Sequence, residues 1–172
     1  SSSSTKDGDF SWENLLGPTK CTDRSDKSLC TAVVYELMRC LHDPELSVRT
    51  SAEVSLKNLV SEIEVWMSKH GEEWIEVLDS SLLPCLRQGI KKSSDTIKKS
   101  FISLLAHIIQ TLGNHSDLSI GHPGVHGDLL FLVNEDVEVD FFENITHIQL
   151  HRRARGMRRL KNLMLDDDHE FN

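Results

Sequence analysis

The residues best suited to bind a charged ligand lie between positions 147 and 161. This segment contains six of the 19 Lys and Arg residues and none of the 27 Asp and Glu residues. The chain as a whole has a net charge of −8, so the residues outside the segment carry −14. Positive charge is therefore a local feature of an acidic molecule. Local charge of this kind indicates a contact surface.

A helical wheel separates the side chains around this segment, if residues 140–165 form one helix as we predict. Phe141, Ile145 and Ile148 share one face, and Leu150, Ala154, Met157 and Leu160 share a second. A basic arc, which the second face leaves exposed, consists of His147, His151, Arg152, Arg155, Arg158 and Arg159. Because the arginines lie off the second apolar face, we expect charge reversal at Arg152, Arg155 and Arg159 to leave the fold intact. Of these three, Arg152 lies near the first face, where it can pair with Asp140 or Glu143.

Guanidinium groups bind phosphate and carboxylate through paired hydrogen bonds. The predicted ligand of the basic arc is therefore an RNA backbone or an acidic protein surface. A solvated face is the third interpretation, but it would normally mix charges of both signs. No aromatic motif that would stack RNA bases accompanies the arc.

Histidine pairs raise the alternative of a metal site. His147 and His151 are one helical turn apart, and His122 and His126 flank Pro123-Gly124. A zinc site needs a third or fourth ligand, and the arginines near His147 would repel a cation. We predict no metal site. The sequence also lacks a nucleophile elbow, a Gly-rich phosphate loop and paired catalytic carboxylates, so we predict no catalytic residue, cofactor or small-molecule substrate.

Apolar residues at helical spacing predict that the chain is all-α. The first helix, with Leu29, Val33, Leu37 and Leu41 on one face, ends before Asp43-Pro44. The second carries Val48, Ala52, Leu56, Leu59, Ile63 and Trp66 on one face. A third, over 72–88, bends at Pro84 and ends at Gly89. The fourth has the broadest apolar face, with Phe101 near its centre, and ends at Gly113.

An internal offset relates these helices. Val48-Arg49 and Ile97-Lys98 are 49 residues apart, and each pair follows an Asp at the start of the second helix of a hairpin. A period of 40–50 residues built from two helices is typical of HEAT-like repeats, in which Asp and the basic residue can pair between repeats. The predicted organisation is a mobile tail (1–24), two HEAT-like hairpins (25–112), a Gly-rich loop (113–127), a third, degenerate hairpin with the basic helix (128–164) and an acidic tail (165–172).

The cysteine spacing and the hydropathy of the chain predict the kind of cellular compartment in which it works. Cys21, Cys30, Cys40 and Cys85 lack CxxC spacing, which predicts unoxidised thiols in a reducing compartment. No apolar run approaches the roughly 20 residues that span a membrane, so we predict no membrane partner.

The region of the basic arc resembles a known family. The matching motif comprises residues 140–145 (DFFENI), 147–155 (HIQLHRRAR) and 158–160 (RRL). It is similar to a signature of the HEAT-repeat component twenty of the small-subunit processome, also called the down-regulated-in-metastasis family. The motif covers about 25 residues, and the rest of the chain matches only as generic helical repeats. Because family members are very long, the resemblance implies that this chain is an excerpt.

This resemblance implies a scaffold of the nucleolus without enzymatic activity. Family members associate with the U-three small nucleolar ribonucleoprotein and act in processing the precursor of small-subunit ribosomal RNA. The expected partners are pre-ribosomal RNA, the ribonucleoprotein and processome proteins. The alternative is a HEAT-type adaptor that binds only proteins, such as a transport receptor or a kinase-related array. RNA binding with a steep salt dependence would distinguish the two.

Overall fold

The computed structural model describes residues 24–70, 77–92, 94–113 and 127–166, and the regular structure in these residues is helical. The predicted all-α class is confirmed. The helices are α1 Arg24–Cys40, α2 Leu46–His70, α3 Leu83–Lys92, α4 Asp95–Leu112, α5 Gly127–Leu130, α6 Phe141–Ile145 and α7 Leu150–Asp166, and a π-helical turn, Leu78–Leu82, directly precedes α3. The predicted N-terminal tail up to residue 23, residues 114–126 of the Gly-rich loop and residues 167–172 of the acidic tail lie outside the described residues.

The buried face of α1 is rotated from the one predicted and shares Leu41 with it. It ends before Asp43-Pro44 as expected, but Leu29 is half exposed. The buried face consists of Cys30, Val34, Met38 and Leu41. Apolar residues occupy adjacent positions along α1, as in Leu29-Cys30 and Val33-Val34, so the sequence offered two possible faces. Packing against α2 and the π-helical turn selects the second.

Helix α3 continues through Gly89, where we predicted that it would end. Gly89 is buried, and a Cβ atom placed on it would stand 2.4 Å from the ring of Phe101. Glycine is therefore needed for the close approach of α3 and α4, and it terminates nothing. Pro84, where we predicted a bend, lies in the first turn of α3, directly after the π-helical turn, in which the N–H of Leu83 donates to the carbonyl of Leu78.

The first four helices pack as two pairs, each joined by a short connection. Helix α1 packs against α2, and α3 packs against α4. In addition, α1 contacts α3, and α2 contacts α4, so equivalent helices of the two pairs lie side by side. The main core lies between them; its largest fully buried side chains include Leu41, Leu56, Leu59, Ile63, Leu78, Leu82, Leu86, Phe101, Leu104, Ile108 and Leu112.

The predicted pairing of Asp with the basic residue of the neighbouring repeat is wrong. Arg49 donates from Nη1 to the carbonyls of Asp43 and Pro44, at 2.7 and 2.8 Å, in its own connection. Lys98 lies 3.5 Å from Asp95 in its own helix. Each basic side chain therefore stabilises the start of its own second helix, where the nearest acceptors lie.

Polar side chains join α2 to α4 beside the core. Lys57 donates from Nζ to Ser103 Oγ at 2.7 Å and to Glu53 at 2.9 Å. His107 Nε2 lies 3.1 Å from the carbonyl of Lys57 and 3.3 Å from Ser61 Oγ. Burial opposes ionisation of Glu53, but the hydrogen bonds it accepts outweigh burial and lower its pKa. These contacts align the second helices of the two pairs.

His107 makes stability depend on pH. Burial lowers the pKa of His107 below its ordinary 6.5; nearby Lys57 acts in the same direction, and the Lys57 carbonyl and Glu64 oppose it. As pH falls below about 6.5, His107 becomes protonated in the unfolded chain but stays neutral in the folded chain. The free energy of unfolding therefore decreases. We expect the unfolding free energy from urea titrations to decrease between pH 7.5 and 5.5, and to decrease less in His107→Gln. His151→Gln, which changes an exposed imidazole, is the control; an equal change in both variants would contradict the assignment.

A second, smaller core fixes the C-terminal elements to α4. Ile109 of α4 packs with the buried side chains of Leu132 and Phe142. Leu160 and Leu163 of α7 lie against the same cluster. Helix α4 thus supplies one face to each core, which explains why its apolar face is the broadest in the sequence.

The single helix predicted for residues 140–165 is wrong. The chain forms α6, breaks over 146–149 and resumes as α7. Thr146 donates its hydroxyl back to the carbonyl of Phe142, and His147 Nδ1 accepts the N–H of Gln149. Side chains that bond to the nearby backbone compete with the helical ladder, and here they end it. Residues 128–164 therefore contain three helices, where a plain hairpin would have two.

Candidate functional site

A buried carboxylate begins the candidate site. Asp140 lies at the N-cap of α6, where Oδ1 accepts the N–H of Glu143 at 2.7 Å. Its Oδ2 accepts the N–H of Asn134 at 2.9 Å. The spacing Asp140-x-x-Glu143 is that of a helix-capping motif, which satisfies backbone donors that have no partner in the helix. Asp140 therefore ties the start of α6 to the preceding non-helical segment.

A buried amide continues the same connection. Asn144 donates from Nδ2 to the carbonyls of Val137, Glu138 and Asp140, at 3.2, 3.1 and 2.6 Å. Its Oδ1 accepts from Arg152 Nε at 3.1 Å. One side chain thus joins the segment before α6, the helix α6 itself and the first turns of α7.

Three of the predicted arginines hold residues 131–139, which we call the non-helical segment. Arg152 donates to the carbonyl of Val137 at 3.1 Å, and Arg155 to that of Glu138 at 3.3 Å. Arg159 donates to the carbonyls of Val139 and Phe131. Carbonyls outside a helix need donors, and these guanidinium groups supply them.

The arc is not free of acid in the folded chain. Glu138 lies 3.2 Å from the guanidinium of Arg152 and 2.8 Å from that of Arg155. The Arg152 side chain is only 12% exposed, whereas that of Arg155 is 50% exposed. The expectation that Arg152, Arg155 and Arg159 can be reversed without effect on the fold therefore conflicts with the structure. The sequence did not predict this contact, because Glu138 lies before α6 and outside the basic segment at 147–161. The acidic residues among positions 135–140 were the signal that could have indicated it.

The remaining predicted residues differ in charge state and exposure. Loss of hydration and the cation of Arg152 lower the pKa of His147, and its Nδ1 already accepts the N–H of Gln149. His151 and Arg158 are exposed, and neither makes a hydrogen bond or ion pair with another described residue. Arg153, which we did not predict, donates to the carbonyls of His147 and Ile148 before α7.

The arginines also line a shallow hollow of about 440 Å³, bordered by Arg155, Arg158, Arg159, Asn162 and Leu163. Its open shape suits a charged group on the surface of a macromolecule, such as phosphate or carboxylate, better than an enclosed small molecule. In residues 24–70, 77–92, 94–113 and 127–166, no group of three or more His, Cys, Asp or Glu is placed to hold a metal ion. His122 and His126 lie outside these ranges.

Two further predictions concern the described part of the chain. No disulfide joins Cys30, Cys40 and Cys85, while Cys21 is outside the described residues. Among the described helices, none has the length and hydropathy required to cross a bilayer.

Comparison with known proteins tests the family resemblance predicted from the sequence. The sequence is 32% identical over 133 residues, 76% of this chain, to the U3 small nucleolar RNA-associated protein 20 of Schizosaccharomyces pombe. It is 31% identical over 118 residues, 67% of the chain, to the protein of the same name from Saccharomyces cerevisiae. The chain is related to this family. The resemblance predicted from the motif is confirmed.

The match to U3 small nucleolar RNA-associated protein 20 covers a small part of each relative. It spans 5% of the Schizosaccharomyces pombe protein and 4% of the Saccharomyces cerevisiae protein. No protein-family model and no solved structure matches the chain. The relatives therefore indicate the family of this chain, and they do not identify what the basic surface of α7 binds.

Proposed function

We propose that the chain is part of a non-enzymatic scaffold that acts in processing pre-ribosomal RNA and assembling the small ribosomal subunit. The observation that carries the proposal is the 32% identity, over 76% of the chain, to a protein named for its association with U3 small nucleolar RNA. That name describes a component of an RNA–protein assembly and implies no enzymatic reaction. The corresponding location is the nucleolus.

The packing of the first four helices supports a repeat scaffold of the HEAT type. Equivalent helices of the two pairs lie side by side, α1 against α3 and α2 against α4. In a repeat array each unit buries its apolar face against the next, which is how the main core is built here. Such arrays present long surfaces to several partners at once, as an assembly scaffold requires.

The outward part of the basic arc is the proposed contact surface for pre-ribosomal RNA or processome proteins. Arg158 and His151 are exposed without internal partners among the described residues, and Arg155 is half exposed. Arg152, Arg159 and His147 belong to the same proposed surface, but their bonds to the backbone make them its support. The proposed contacts to a ligand therefore come mainly from the guanidinium groups of Arg158 and Arg155 and from the exposed ring of His151.

Depletion and co-purification test the role in ribosome assembly. With the full-length protein tagged in cells, we expect U3 small nucleolar RNA to co-purify with it. On depletion, precursors of small-subunit ribosomal RNA should accumulate while large-subunit RNA continues to mature. Normal small-subunit processing and absence of U3 RNA from the purified material would reject the proposal and favour the protein-only adaptor.

A further inference from the structure

The outward face of α7 carries an apolar row that no described residue covers. It consists of Leu150, Ala154, Met157 and Met164, with Lys161 between the last two. Leu150 is 72% exposed and Met157 is 51% exposed. The spacing of four and three residues keeps the row on one side of the helix, as in the seam of a coiled coil. Single exposed apolar residues are ordinary, but four of them on one side of a helix, interrupted by Lys161 alone, indicate a binding surface.

The opposite side of α7 is fully engaged. Gly156 is buried, and a Cβ atom on it would stand 3.4 Å from Asn144 Cβ, so α7 lies close to α6. Leu160 and Leu163 pack into the second core. Arg152 and Arg159 bind the non-helical segment. Because these contacts fix α7 in place, the apolar row is presented without further ordering, which reduces the entropic cost of docking.

Positive charge borders the row. Arg158 is exposed beside the row, Lys161 is exposed within it, and residues 150–165 contain no acid. A partner that covers the row must therefore bring apolar side chains for its centre and carboxylates for its edge. The row extends over 15 residues, or about 21 Å of helix, which is the length of a four-turn helix.

We propose that this row binds an acidic amphipathic helix of a partner protein, packed along α7. The inference rests on the proposed scaffold function, because it names the class of partner that the surface of α7 holds. A helix with apolar residues at positions a and d and Glu at e and g matches both the row and its charged border. RNA fits less well: phosphate leaves the methionines uncovered, and the row has no aromatic side chain on which bases could stack.

A binding experiment with designed peptides tests the proposal on the 172-residue chain. The probe is a synthetic 21-residue helix with Leu at a and d and Glu at e and g, labelled for fluorescence anisotropy. A matched peptide carries Lys in place of each Glu. We expect the Glu peptide to bind at least tenfold more tightly than the Lys peptide, because the border of the row is cationic. No binding of the Glu peptide, or equal affinity for both peptides, would overturn the proposal.

Variants then locate the binding site. Met157→Glu should weaken binding of the Glu peptide at least tenfold, whereas Val54→Glu, at an equally exposed apolar position of α2, should leave it unchanged. Equal effects of the two variants would place the peptide elsewhere and reject the site. Sedimentation of the chain alone provides a further test: a dimer that Met157→Glu dissolves would assign the row to a second copy and also reject the proposal.

Crosslinking in cells separates this inference from the proposed function. A photoreactive amino acid in place of Met157 of the full-length protein should crosslink to an acidic helical segment of another protein. Crosslinks to RNA instead, with U3 association intact, would overturn the inference and leave the proposed function standing. Loss of U3 association in the unmodified protein would overturn the proposed function, whatever the crosslink at this position.

Discussion

Replacing Phe101 with alanine is expected to lower the free energy of unfolding by about 3–5 kcal/mol. The ring is 1% exposed and packs between the helix pairs, beside His42 at a centroid distance of 5.3 Å and against Gly89. Its removal exchanges apolar contacts for a cavity that the surrounding helices cannot fully close. Urea unfolding followed by circular dichroism at constant pH measures the change. Ile148→Ala, which truncates a highly exposed apolar side chain, should alter stability by less than about 0.5 kcal/mol.

A second substitution tests the contact that the structure assigns to Phe101. Gly89→Ala places a methyl group 2.4 Å from the ring, so in the native chain it should cost about 1–3 kcal/mol. In the Phe101→Ala background the same methyl group meets open space. There Gly89→Ala should stabilise by up to about 1 kcal/mol, since alanine favours a helix interior over glycine. Additive effects of the two substitutions would mean that α3 and α4 do not meet at these residues.

The fourth helix illustrates what sequence can predict. Its apolar positions, from Ile97 to Leu112, are numerous enough to define a face, and Phe101, Leu104 and Ile108 are buried as that face requires. Helix α1 illustrates the limit. Where apolar residues are adjacent in sequence, periodicity allows two faces, and only the neighbouring helices decide between them. Gly89 has the same ambiguity, because glycine suits both the end of a helix and a close approach inside one.

The sequence predicted which residues form the candidate site, but it did not predict the hydrogen bonds and ion pairs that these residues make. The basic arc was visible as a run of cations, and the structure places Arg158 and His151 on the surface. The internal partners of Arg152, Arg155 and Arg159 are mainly backbone carbonyls of the non-helical segment, which no side-chain pattern records. Glu138 lies beside Arg152 and Arg155 because the helix ends after α6 and α7 then packs back against α6 and the non-helical segment. A wheel drawn for one continuous helix could not place it there.

These hydrogen bonds and ion pairs give the arginines of α7 unequal roles. Charge reversal should therefore lower the stability of the fold at some of them and not at others. Arg152→Glu brings a carboxylate toward Glu138 and removes the donors to Asn144 Oδ1 and the Val137 carbonyl. The buried Oδ1 of Asn144, left without its donor, and the repulsion of the carboxylates should together cost about 1–3 kcal/mol. Arg158→Glu makes the same change of charge on the same helix, at an exposed position without a partner among the described residues. It should alter stability by less than about 0.5 kcal/mol.

Hydrogen exchange read by mass spectrometry locates the damage as well as its size. In Arg152→Glu we expect faster exchange over 131–166, where α6, α7 and the non-helical segment depend on one another, while α1 and α2 keep their protection. Arg152→Lys retains the charge but loses the planar fork that serves three acceptors, so it should fall between the native chain and Arg152→Glu. Equal stability of the Arg152→Glu and Arg158→Glu chains would contradict the support role of Arg152. If Arg158→Glu instead weakens partner binding while its exchange remains native, the arc divides as proposed: Arg152 maintains the shape of the surface, and Arg158 contacts what binds there.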